Sequence, residues 1–424
     1  MGLGDWKKKL MGEANRLINQ LGAPIAIDFG TSSLKLLQIT GAEVPTLVAA
    51  AAIPTPEDLW TDKAKRLNFQ LEALPRLVKS AAFKGRRAVC SIPASHAYCK
   101  HMQFTVEPGA QVGALVRSAV ASQLACDPTA LVFRHVEVGQ VGRGNKTEVI
   151  CMAAARELVE RLMRVMKEAK LEPVGMHLEY NASLRAFDSI TRRAEDDGLT
   201  SLYLDIGAGA TKVTIAHGRD LVFARTVDLG GRHLDQAVAR QLKLVAADAR
   251  AHRLAMSDLV RKDVPAPAPV GAGMAVLAAV MRREGAESPG SGATAVMEER
   301  RQGLPPPGHT GDLTARASIP FTPPQADLSE PLEILTDEVS MSLRYHESIF
   351  PDRKIDRAIF IGGEARHLGL CQHIARSLKL PAQVADPMAG VARSGDEPTV
   401  GVDFSESQPG WSTALGLCLS PTDL

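Results

Sequence analysis

Two short stretches carry the residue types that phosphate chemistry needs. Ile27-Asp28-Phe29-Gly30-Thr31-Ser32-Ser33-Leu34-Lys35 is matched position by position by Leu204-Asp205-Ile206-Gly207-Ala208-Gly209-Ala210-Thr211-Lys212. In each, an apolar strand ends in an aspartate, a glycine-bearing turn follows, and a second strand opens with a lysine. The glycines let the backbone turn tightly and let a ligand approach it. Such a turn presents N–H groups and a carboxylate to a phosphate and its metal. One copy alone fits a plain glycine hairpin equally well. Two copies so far apart imply two similar half-molecules whose hairpins face each other across a cleft. That cleft suits a nucleoside triphosphate tail, with Mg²⁺ between phosphates and carboxylates.

The elements that must hold these turns follow from pattern. Ile25–Gly41 reads as the first hairpin and Thr46–Ile53 as its third strand, followed by a helix over Leu67–Ala82 and a strand over Arg87–Ile92. Residues 93–175 read as an inserted subdomain, with strands over Tyr98–Val106, Leu131–Val138 and Glu148–Ala153 and helices over Gly113–Cys126 and Arg156–Ala169. The Leu158, Leu162, Val165 and Met166 stripe has core spacing. A strand over Val174–Leu178 and a helix over Glu179–Ile190 lead to the second hairpin, and one helix is expected over His233–Leu254. Composition then shifts. Asp263–Asp327 holds PAPAP, SPGSG, LPPPG and FTPP and reads as a disordered insertion. Order resumes with a helix over Leu332–Phe350, a strand Arg357–Ile361 closing in Gly362-Gly363, and helices over Leu368–Leu378 and Ser412–Leu419. Residues 1–22 read as an amphipathic helix, either an interfacial membrane helix, or a solvated arm or a helix docked on the body or on a partner.

Bulk properties exclude several classes. The chain's 49 Lys and Arg nearly balance its 48 Asp and Glu, so no global attraction to nucleic acid is expected. Six scattered cysteines without CxxC spacing argue against a zinc site or a disulfide framework and for a reducing compartment. No stretch has the length and apolarity of a membrane span or the h-region of a signal peptide, so a cytoplasmic protein is expected.

The ordered set of Asp28-x-Gly, Asp205-x-Gly-x-Gly and Gly362-Gly363-Glu364 resembles the actin, sugar-kinase and Hsp70 ATPase superfamily. IAIDFGTSSLKLLQI, VCSIPASH, ARELVERLMRVMKEAKLEPVGMHLE, RTVDLGGRHLDQAVA and RAIFIGGEARHLGLCQHIARSLKLPAQVADP further resemble the PilM family of type IV pilus assembly. The resemblance covers about 24–258 and 330–419. It implies an α/β, actin-like (ribonuclease H-like, duplicated) ATPase fold with an FtsA/PilM-type inserted subdomain. Subdomain IA would be 24–92 with 176–199, IC 93–175, IIA 200–235 with 330–424, and IIB 236–329 with the Pro-rich insertion, after an arm over 1–23. It also implies ATP and Mg²⁺ in the cleft, and a partner in the N-terminal peptide of a PilN-like membrane protein. Other pilus or secretion components, self-association, and a cytoplasmic protein held at the inner membrane through its partners complete what it implies.

Roles on this chain follow residue by residue. Gly30, Thr31, Ser32 and Ser33, with Gly207, Gly209, Ala210 and Thr211, would meet the phosphates, and Lys35 would neutralise them. Asp28 and Asp205 would hold Mg²⁺ through water. Gly230 and Gly231 would approach the ribose, and Gly362 and Gly363 the adenosine. Glu179 is either a water-orienting catalytic carboxylate or a helix N-terminal one favoured by the dipole. Lys35 and Lys212 are equally readable as solvated lysines. The family's Ala-Glu-x-x-Lys signature reads Ala247-Asp248-Ala249-Arg250-Ala251 here, leaving Asp248 on the nucleoside side and Ala251 in the lysine's place, with Arg250 or Arg253 as substitutes. Three functions stay open: a nucleotide-dependent scaffold with weak or no hydrolysis, an active ATPase or small-molecule kinase, and a nucleotide-free adaptor.

Overall fold

The computed structural model describes residues 23–41, 44–107, 111–142, 145–188, 196–256, 259–260 and 326–422. The expected N-terminal helix and, up to residue 325, the expected Pro-rich insertion lie outside the described residues.

The first sheet grows from the first hairpin. β1 (Ile25–Phe29) pairs antiparallel with β2 (Ser33–Ile39), and β2 with β3 (Leu47–Pro54). On the other side of β1, β4 (Arg87–Ile92) runs parallel, and β8 (Glu172–Leu178) runs parallel to β4. Alternation along β1 sends Ile25, Ile27 and Phe29 to one face and Ala26 to the other, and both faces are covered. The Ile25 face packs on α1 (Lys63–Ser80) through Leu67, Leu71, Leu74 and Leu77. Each such buried leucine contributes about 1.5–3 kcal/mol. Asp62 caps α1 by accepting from Lys65 N–H at 2.9 Å, so the helix starts a turn before the expected Leu67.

The second sheet repeats the order. β9 (Thr200–Ile206), β10 (Thr211–His217) and β11 (Asp220–Val227) form an antiparallel meander, with β12 (Arg357–Ile361) and β13 (Ala382–Val384) parallel on the other side of β9. The sheets read β14-β3-β2-β1-β4-β8 and β11-β10-β9-β12-β13, where β14 (Thr399–Val400) adds only an edge. The duplication read from the hairpins therefore extends to whole sheets.

Two short helices lie between the sheets. α4 (Glu179–Arg185) and α9 (Ser412–Cys418) share one core with Ala26, Leu37 and Tyr203. They cross so closely that a Cβ on Gly416 would sit 1.6 Å from Ala182 O. α4 stops well before the expected Ile190, and Phe187 turns into the core beside Tyr203.

Between β4 and β8 the chain makes a third sheet, β5-β7-β6, from β5 (Ala97–Thr105), β6 (Leu131–Val141) and β7 (Lys146–Ala155). α2 (Val112–Leu124) covers it through Val112, Val116 and Val120. α3 (Arg156–Glu168) leaves this sheet and packs Leu162 and Met166 into the α1 core. The sheet meets the second half through buried polar groups: Glu148 accepts from Tyr345 Oη at 2.8 Å and pairs with His101 Nδ1 at 2.9 Å.

The stretch expected as one helix over His233–Leu254 is two, α5 (Gly231–Leu242) and α6 (Ala246–Ala255). Lys243 adopts φ 55°, and Leu244 N–H donates to Ala239 O at 3.1 Å, a left-handed stop. α7 (Ser329–Ile349) turns Leu335, Val339, Ser342 and His346 inward, and α8 (Leu368–Leu378) follows β12. Among the described residues no helix is long and apolar enough to cross a membrane.

Candidate functional site

The β1–β2 and β9–β10 turns face each other across a cavity of about 530 Å³. They touch: a Cβ on Gly209 would come within 2.7 Å of Thr31 Oγ1. Gln70 of α1 holds the first turn by donating to Gly30 O at 2.7 Å and to Thr55 Oγ1 at 2.9 Å. The second turn is closed by Gly207 N–H donating to Ala210 O at 3.0 Å. The start of α5 holds it from behind: Gly231 N–H donates to Gly207 O at 3.0 Å and Arg232 N–H to Ala208 O at 2.9 Å.

The lining divides the expected residues. Gly30, Thr31, Ser32, Ser33 and Lys35 face the cavity from the first hairpin, with Asp28 at its base. Asp205, Gly207, Ala210 and Lys212 face it from the second, and Glu179, Gly362 and Gly363 complete it. Gly209, Thr211, Gly230, Gly231 and Asp248 are outside the lining. Thr211 is buried and donates its hydroxyl to Leu229 O at 2.7 Å. Gly230 presses on the second turn, where a Cβ would meet Gly207 O at 2.3 Å. Asp248 is exposed, on the opposite side of α6 from the buried Ala249 and Arg253.

The two arginines read as substitutes for the family lysine divide the same way. Arg250 lines the cavity and stacks over the Trp60 ring at 4.8 Å. Arg253 is fully buried and pairs with Asp235 at 2.6 Å and Glu364 at 2.8 Å. This ion triad fixes α6 to α5 and to the turn after β12.

Two features had no signature in the sequence. Much of a strap over residues 401–411 lines the cavity: Gly401 (φ 67°) lies against Ala52 O, Pro409 O accepts from Gly362 N–H at 2.9 Å, and Gly410 O accepts from Lys35 Nζ at 2.6 Å. Their partners lie 47 to 375 positions away in sequence, so no local pattern marks them. Arg66 of α1 also lines the cavity and donates to Trp60 O at 2.6 Å.

Charge is distributed unevenly. Asp28 Oδ2 is 3.6 Å from Lys35 Nζ, and Asp28 Oδ1 accepts from Ser91 Oγ at 3.4 Å. Burial pushes the Asp28 carboxyl above the usual aspartate range, against the pull of Lys35 and with Glu179 adding to the rise. Lys212 pairs with Asp205 Oδ2 at 2.8 Å and with Glu179 Oε2. Burial opposes the Lys212 charge, yet Asp205 and Glu179 together hold its ammonium above the ordinary lysine range. The other Glu179 oxygen accepts from Ala94 N–H at 3.0 Å, so each oxygen has a partner.

The donor set bears on the expected Mg²⁺. Mg²⁺ wants near-octahedral oxygen and keeps several waters. Here the cleft carboxylates are directed at ammonium groups, and among the described residues no three His, Cys, Asp or Glu side chains gather as metal ligands. The residues do not fit a metal seat on Asp205.

A second cavity of about 270 Å³ lies where the inserted sheet meets the first half. Val132, Val136, Met152, Met176 and Leu178 give it an apolar wall, with Arg134 and His177 also in the lining.

The chain matches the family model for the type IV pilus assembly protein PilM over residues 26–261. Its structure is similar to that of a PilM–PilN type IV pilus biogenesis complex, with TM-score 0.64 and 19% identity over 94% of this chain and 98% of that one. It also matches the ethanolamine utilization protein EutJ from Carboxydothermus hydrogenoformans (TM-score 0.43, 14% identity, 93% and 89% covered). A third match is MreB5 of Spiroplasma citri bound to ADP (TM-score 0.44, 12% identity, 93% and 94% covered). The fold is actin-like, and the chain belongs to the PilM family of type IV pilus assembly proteins.

Proposed function

We propose that this protein is a cytoplasmic, nucleotide-binding scaffold that docks the N-terminal peptide of a PilN-like membrane protein and so sits at the inner membrane. The observation that carries the nucleotide half is the contact of two glycine turns, Thr31 against Gly209, over one cavity. N–H groups of Gly30–Ser33 and Gly207–Ala210 would take the phosphates, with Lys35 as a cation on the first side. Arg250, stacked on Trp60, offers a planar charged edge at the nucleoside end in place of the family lysine. The nucleotide then bridges the two halves and biases their arrangement, acting as a conformational ligand. The engaged oxygens of Glu179 support binding without turnover.

The second cavity is the seat we assign to the peptide. It joins an apolar wall to the rim of the inserted sheet, and it is separate from the nucleotide cleft, so both ligands can be held at once. The similar complex with PilN supports a partner of that kind.

Two measurements test this reading. Calorimetry with ATP on the full chain should show saturable binding that Lys35→Ala weakens about tenfold or more. No binding to the folded wild type would remove the nucleotide claim. A synthetic PilN-like N-terminal peptide, followed by fluorescence anisotropy, should bind wild type and lose about tenfold or more on Val132→Glu. Unchanged affinity would move the seat elsewhere.

A further inference from the structure

Lys212 occupies an unusual place for a lysine. It stands directly across β9–β10 from Asp205 in the strand register, is mostly buried, and reaches Glu179 from α4 as well. Its backbone is fixed on both sides, by Asp205 on β9 and by Thr226 on β11. The ammonium therefore sits between two carboxylates at the base of the second glycine turn.

Resting on the nucleotide reading above, we infer that Lys212 is a built-in counter-cation, and that this cleft binds a nucleoside triphosphate without requiring Mg²⁺. Three features of the site carry this. Asp205 Oδ2 lies 2.8 Å from the ammonium, so a metal-bound water on that oxygen would compete with Lys212 for it. Displacement would take the ammonium from two carboxylates at once, Asp205 and Glu179. Further fixed positive charge lines the same cavity in Lys35, Arg66 and Arg250 and needs no metal to deliver it. A lysine is a compact point charge that suits phosphate, and unlike Mg²⁺ it imposes no octahedral shell. The same pairing ties up Glu179, so one residue both supplies the charge and withholds a base.

The experiment is ATP binding by calorimetry on the full chain, once in excess EDTA and once in millimolar Mg²⁺. The dissociation constant is expected to agree within about threefold between the two buffers. Binding that appears only with Mg²⁺, or weakens about tenfold or more in EDTA, overturns the inference while leaving the nucleotide reading intact. No binding in either buffer overturns the nucleotide reading and this inference with it. Lys212→Ser opens the space between Asp205 and Glu179 to a hydrated ion. That variant should bind ATP about tenfold or more weakly in EDTA and recover with Mg²⁺. Metal-independent binding by folded Lys212→Ser at wild-type strength would show that Lys212 is not the counter-cation. The wild-type comparison decides the question even if the variant does not fold.

Discussion

The two hairpins start from one pattern and end in different electrostatic states. In both, an aspartate at the end of the first strand faces a lysine directly across the antiparallel pair, Asp28 with Lys35 and Asp205 with Lys212. The difference lies in what a third element brings. At the second hairpin α4 delivers Glu179, a second carboxylate, and Lys212 closes onto both. At the first hairpin the strap delivers a carbonyl, Gly410 O, and Lys35 leans toward it, leaving Asp28 at 3.6 Å. One lysine is locked in a charged triad. The other is shared between a carboxylate and a neutral acceptor, a looser pairing. A duplicated motif thus supplies one tightly and one loosely paired cation, and the elements packed behind each turn decide which is which.

The largest effect that sharpens this contrast is on stability. Lys212→Ala leaves Asp205 and Glu179 buried together without a cation and should cost about 3–5 kcal/mol, read from denaturant unfolding. Lys35→Ala removes one charge from a looser pair and should cost about 1 kcal/mol. Equal losses would erase the distinction between the two lysines. The aspartates should differ in sign. Asp205→Asn takes a partner from a buried ammonium and should lower stability by about 2 kcal/mol. Asp28→Asn removes a charge that burial already disfavours and should raise the melting temperature by about 2 °C. A drop on both would mean that Lys35 compensates Asp28 as fully as Lys212 compensates Asp205.

The turns differ in a smaller way. A Cβ on Gly30 meets Ser33 O of its own turn at 3.0 Å, whereas one on Gly209 meets the Thr31 side chain of the other turn at 2.7 Å. Gly30→Ala should therefore cost about 1 kcal/mol of stability and leave the facing turn in place. Gly209→Ala should cost about 1 kcal/mol as well, because both branches of Thr31 lie against the added methyl, and should in addition weaken ATP binding by pushing the turns apart. Equal binding losses for the two variants would show that the Thr31 contact does not set their spacing.

What was legible in the sequence was what repeats or alternates. The hairpins, their aspartates and the Gly362-Gly363 turn are local patterns, and they led directly to the cleft. The fold followed from the same duplication, since a second hairpin of the same kind predicts a second sheet of the same order. What stayed hidden depends on pairings over long separations. The strap meets Lys35 and Gly362 through single backbone atoms, and neither leaves a composition signal. Asp248 looked equivalent to the family glutamate in linear alignment, but α6 begins only at Ala246, after the chain breaks at Lys243. With Ala249 and Arg253 inward, the helical phase puts Asp248 on the outer side and brings Arg250 to the cavity. Lys212 was readable as an ordinary strand lysine because Glu179, which decides its role, enters from a different element.

The subtlest break in the comparison is its dependence on pH. The folded-state pKa of Asp28 is raised, with burial as the first cause, so the folded protein holds this proton more tightly than the unfolded chain does. The fold therefore bears the cost of the Asp28 charge at neutral pH and is relieved of it as pH falls toward the unfolded value of 3.8. The advantage of Asp28→Asn over wild type should be largest at the top of the range, shrink as pH falls below the folded pKa, and vanish near the unfolded one. Paired melting curves of wild type and variant across pH 7 to 4 read that difference directly and cancel the titration of other groups. A gap that stays constant over the range would mean that Asp28 titrates alike in both states, and that the first hairpin is as well compensated as the second. A gap that closes would locate the uncompensated charge of the cleft at Asp28, beside the more loosely paired of the two lysines.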